Sequence, residues 1–99
     1  MHIDSNIRKL LENETKIHTA EIRFLYQKLD RQFGLNAAKV PINFGFDEDR
    51  LGAYTPGLGN DEEEFYFSLL FIGYSLAKPL SKADRMDLYK HEYAHYMQY

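Results

Sequence analysis

The spacing of apolar residues changes twice along this chain, and that change limits the fold more than any other feature. From Ser5 to Phe33 apolar positions recur at intervals of three and four, as one face of a helix requires: Ile7, Leu10 and Leu11 form one stripe, and Ile22, Leu25, Tyr26, Leu29 and Phe33 another. The stripes do not join smoothly. Asn13-Glu14-Thr15 stands at the junction, so the segment reads as two helices or one kinked helix, with Thr15 or Thr19 as a cap and Gly34 marking the end. From Val40 the period falls to two, because Val40, Ile42, Phe44 and Phe46 alternate with smaller or polar residues as in a half-buried strand. Asp47 to Arg50 form a turn, Leu51 to Thr55 a second extended segment, and Pro56-Gly57-Leu58-Gly59-Asn60 end it. Phe65 to Ile72 is apolar almost throughout, which suits a strand buried on both faces, or a buried helix. Pro79 closes a connector, and Ser81 with Asp84 three residues on resembles a capping box opening a last helix. The order of helix or helices, two or three strands and a C-terminal helix predicts an α+β fold with a small sheet against helices.

Composition narrows the function classes. A chain of 99 residues builds one core, so residues 1–99 read as a single domain. With no cysteine, any metal would be held by His, Asp, Glu and water, without disulfides or thiolates. A net charge of -3 and no run of Lys or Arg argue against binding to a phosphate backbone. No apolar run is long enough to cross a bilayer and the N-terminus lacks the pattern of a signal peptide, so the expected location is cytoplasmic, away from membranes.

The chemistry lies in His91-Glu92-Tyr93-Ala94-His95. On a helix, residues four apart sit one turn up the same face, so His91 and His95 can grip one ion between them. Glu92 flanks that face, where its carboxylate reaches a bound water without ligating the metal. This is the HExxH arrangement: two histidines bind Zn2+, which lowers the pKa of its water to about 7, and the glutamate is the general base. Met86, Tyr93 and Met97 fall on the opposite side, at a spacing that would bury them under the sheet, while Tyr89 and Tyr96 lie on a flank. The alternative is that His91 and His95 form only a polar helix face.

The segment Leu88 to Tyr96, with the order of elements before it, resembles the zincin metallopeptidases, and among them the SprT-like and minimal gluzincin domains. The run Leu51-Gly52-Ala53-Tyr54 also looks like the second strand of SprT-like domains. The resemblance implies His91 and His95 as metal ligands and Glu92 as general base of a zinc peptidase acting on a peptide or protein. It also implies a third ligand downstream, and no residue after Tyr99 supplies one, so the domain reads as incomplete at its C-terminus. His2, His18, Asp47, Glu48 and Glu62 to Glu64 are substitutes by composition alone, and are expected to be solvated surface groups. Zincins hold substrate as an added strand at a sheet edge, a role open here to Leu51–Thr55 or Phe65–Phe71. Two rival readings remain: a non-catalytic zincin-like module that binds or regulates a partner protein, and a single-stranded nucleic-acid surface of aromatics interleaved with Lys82, Arg85 and Lys90.

Overall fold

A computed structural model describes residues 5–73 and 80–99. His2 and Pro79 lie outside them. The first element, α1 (Ser5–Phe33), is one helix of 29 residues, neither broken nor split at Asn13-Glu14-Thr15. No Gly or Pro interrupts it, and the Thr15 hydroxyl donates to the carbonyl of Glu12 at 2.8 Å instead of capping a new helix. It ends where Gly34, at φ 68°, donates to the carbonyl of Asp30 at 2.7 Å, a left-handed cap that glycine adopts without steric cost. Its buried stripe is Glu14, His18, Ile22 and Tyr26, every fourth residue. Ile7, Leu10 and Phe33, expected on the apolar face, are exposed.

After a 3-10 turn (Ala37–Lys39) come β1 (Ile42–Gly45), β2 (Gly52–Thr55) and β3 (Glu64–Ser68), then a single helical turn, α2 (Leu69–Ile72), and α3 (Lys82–Met97). The sheet order is β1-β3-β2, with β3 parallel to β1 and antiparallel to β2, in registers Phe44↔Phe67 and Tyr54↔Phe65. The fold is α+β. The expected two-faced strand over Phe65 to Ile72 is corrected by this arrangement. Phe65 and Phe67 enter the core, while Tyr66 and Glu64 point out and bond to Asp47 and Asn43, so the strand is one-sided. Past Ser68 the chain coils into a turn that buries Leu69 and Ile72, three residues apart.

The core joins Ile22 and Tyr26 of α1, Ala37 and Val40, the two phenylalanines of β3, Leu69 and Ile72, and Tyr89 and Tyr93 of α3. Each aliphatic or phenylalanine side chain larger than alanine among them contributes roughly 1.5–3 kcal/mol when fully buried. Ser81 caps α3 by accepting from the Asp84 N–H at 3.2 Å. Contrary to expectation Met97 is exposed and Met86 only half-buried. The buried row of α3 is Arg85, Tyr89 and Tyr93, and a row of every fourth residue drifts by about 40° per step, which turns Met97 off the core. Tyr96, one residue back, packs edge-on against Tyr54 of β2 at 5.5 Å.

Three polar contacts join α3 to α1 at successive turns. Arg85 pairs with Glu21 at 3.2 Å, the Tyr26 hydroxyl donates to the Tyr89 carbonyl at 2.6 Å, and the Tyr93 hydroxyl donates to Asp30 at 2.9 Å. Numbers rise together along both helices, so they run parallel here. Asp30 also accepts from the N–H groups of Ala37 and Ala38, at 2.9 and 2.8 Å.

His18 is fully buried beside this ladder, with Glu14 and Arg85 also buried, so the expectation that it is a solvated surface group is wrong. Burial holds its pKa below the usual 6.5, helped by Arg85 and opposed by Glu21 and Glu14. The unfolded chain therefore binds a proton that the folded one resists, and stability should fall as pH drops below about 6.5. In His18→Gln that slope should be flatter, as urea melts at pH 7.5, 6.5 and 5.5 would measure.

Candidate active site

His91 and His95 lie on α3 away from its buried Arg85, Tyr89 and Tyr93 row, with the buried Glu92 on the border between the two faces. They line a groove with Gly52, Ala53 and Tyr54 of β2 and with Tyr99. The Nε2 atoms of His91 and His95 converge to 3.1 Å, with ring planes at 89°. Two nitrogens bound to one zinc at about 2.0–2.1 Å in tetrahedral geometry would lie about 3.3–3.4 Å apart, so the donor pair fits such an ion with little movement. Without metal, the same separation suits a hydrogen bond between opposite tautomers.

Glu92 is almost fully buried although it lines the groove. Burial pushes its carboxyl above the usual range, against the opposing pull of His91, His95 and Arg50. A base raised in this way is better matched to taking a proton near neutral pH than a solvated glutamate. Arg50 stands at the start of β2 with its guanidinium 4.6 Å from the Tyr66 ring centroid, and its 3.8 Å approach to Asp47 is an exposed pair worth little.

The sheet order settles which strand borders the site. β3 is central, so Phe65–Phe71 offers no edge, and β2 is the edge beside the histidines. Leu51 accepts from the Ser68 N–H at 2.9 Å, and antiparallel pairing alternates, so Leu51, Ala53 and Thr55 face β3 while the N–H and C=O of Gly52 and Tyr54 turn outward. Gly52 is closely packed, because a Cβ there would lie 3.0 Å from the Phe67 ring and 3.1 Å from the Tyr66 carbonyl, so a larger residue would require both to shift by a few tenths of an ångström. The Tyr54 hydroxyl donates to Glu63 at 2.5 Å, tying the strand to the loop that follows.

Among the described residues, no group of three or more His, Asp or Glu side chains is gathered to hold a metal ion. The histidine pair is the most that they bring together. Of the substitutes, His18 is in the core, Asp47 accepts from Tyr66, and Glu63 and Glu64 accept from Tyr54 and Asn43. Glu48 and Glu62 are exposed. Arg85 is buried against Glu21 and unavailable to nucleic acid, whereas Lys82 and Lys90 are exposed. Tyr99 was missed in the sequence, although its spacing of four from His95 was the signal that could have found it. No helix among the described residues is long and apolar enough to cross a membrane. No family model, curated protein or solved structure matches the chain.

Proposed function

We propose that this chain is a zinc-dependent peptidase domain in which His91 and His95 hold the metal and Glu92 is the general base. The observation that supports it is the convergence of two imidazole nitrogens to 3.1 Å, in a groove shared with a buried carboxylate and a sheet edge. Zinc bound to the two histidines would supply Lewis acidity and a water of lowered pKa. Glu92 takes the proton of the attacking water as the peptide carbonyl is approached, and returns it to the leaving amine. The outward groups of Gly52 and Tyr54 hold the substrate backbone as an added strand, so any residue sequence able to extend can bind and side chains set the preference.

The test is metal content. The chain reconstituted with zinc should hold about one ion, and His91→Ala or His95→Ala should lose it at the same total zinc while the far-ultraviolet circular dichroism is unchanged. Wild-type protein without zinc after reconstitution at neutral pH would end this reading. A second reading, a non-catalytic module that recognises a protein partner, draws on the absence of a group of three candidate ligands among the described residues. It predicts partner capture with no zinc-dependent hydrolysis of casein or of a peptide library.

A further inference from the structure

The geometry points to Tyr26, Asp30 and Tyr93 as positioning residues that set the rotation of α3 about its axis, and so aim His91, Glu92 and His95 at the β2 edge. This rests on reading those three residues as the reacting groups. The hydrophobic effect that drives α3 onto the core is non-directional and does not by itself specify one angle about the helix axis. Hydrogen bonds are directional and weaken steeply off axis. Here the Tyr26 hydroxyl meets a main-chain carbonyl of α3 at Tyr89, and Tyr93 is bonded to an Asp30 carboxylate that two backbone N–H groups already hold still. Arg85 and Glu21 form a third contact one turn earlier.

Two of these points are buried, Tyr26 and Tyr89 completely and Tyr93 nearly so, and each lies within one turn of a site residue. Tyr93 directly follows Glu92. A roll of α3 would break all three contacts together, and would also part Tyr96 from Tyr54, whose rings meet at 5.5 Å across the boundary between α3 and β2. That ring pair reports how the helix sits against the substrate-side strand without any need for metal.

The experiment compares Tyr26→Phe/Tyr93→Phe, which removes two hydroxyls and keeps both rings, with Ile72→Val, a core truncation outside the ladder. Both are expected to lower the melting temperature. In the double variant the nuclear Overhauser cross-peaks between the Tyr54 and Tyr96 rings should fall at least twofold, while in Ile72→Val they should persist. Wild-type cross-peaks in a folded double variant would overturn the assignment; if the double variant does not fold, Tyr93→Phe alone is read by the same standard. Because the readout is metal-free, failure of zinc to bind would end the peptidase reading and leave this result interpretable.

Discussion

Replacing Glu92 by Gln is expected to cut zinc-dependent peptide hydrolysis by about 10²–10⁴-fold, the usual contribution of a positioned general base, with zinc content unchanged. The amide keeps the size of the side chain and removes only its proton chemistry. The same variant should be more stable than wild type in the metal-free state. Burial raises the Glu92 carboxyl above its ordinary 4.5, so the folded chain prefers the protonated form, and stability is lost as pH rises through the raised value. Glutamine carries no such penalty. The melting temperature of the variant should therefore exceed that of wild type by an amount that grows above about pH 4.5 and levels off once Glu92 is fully ionised. Undiminished hydrolysis would end the role assigned to Glu92, and a variant less stable at neutral pH would contradict its burial cost.

Phe65→Ala should be the most damaging substitution in the sheet, costing about 3–5 kcal/mol. Phe65 is fully buried on the central strand, and its ring lies 4.9 Å from Tyr26, 5.1 Å from Tyr54 and 6.1 Å from Tyr96. It thus touches α1, β2 and α3 at once. Against a typical total of about 5–15 kcal/mol, such a loss would leave a sizeable unfolded fraction. Chemical denaturation of the variant would measure it. A cost below about 1 kcal/mol would mean that β3 is not the centre of the core.

The parts of this molecule legible in the sequence were those set by local chemistry. Ser81 does cap α3, Gly34 does end α1, the alternation read from Val40 to Phe46 does hold a strand, though a shorter one at Ile42–Gly45, and the HExxH spacing does bring two rings together. The parts that were not legible depend on distant neighbours. His18 looked like a surface group because of its polarity, although it stands four residues before Ile22 on the row that enters the core, and Arg85, 67 positions later, is buried close enough to act on it. The row of α3 that enters the core meets Tyr26 and Asp30 of α1, contacts 63 positions apart that the local pattern around Met97 does not reveal. Which strand is an edge is a property of pairing order, and β3 separates β1 from β2 although it follows both.

That pairing order also constrains synthesis. β1 and β2 are made first, but among the described residues they do not bond to each other, and each pairs with β3. Without Glu64–Ser68 neither segment has the ladder seen in the folded sheet, so no part of that sheet exists before β3 is in place. Segments waiting for their partner can pair with other strands instead, so a change that delays or weakens β3 should show itself as aggregation as well as lost stability.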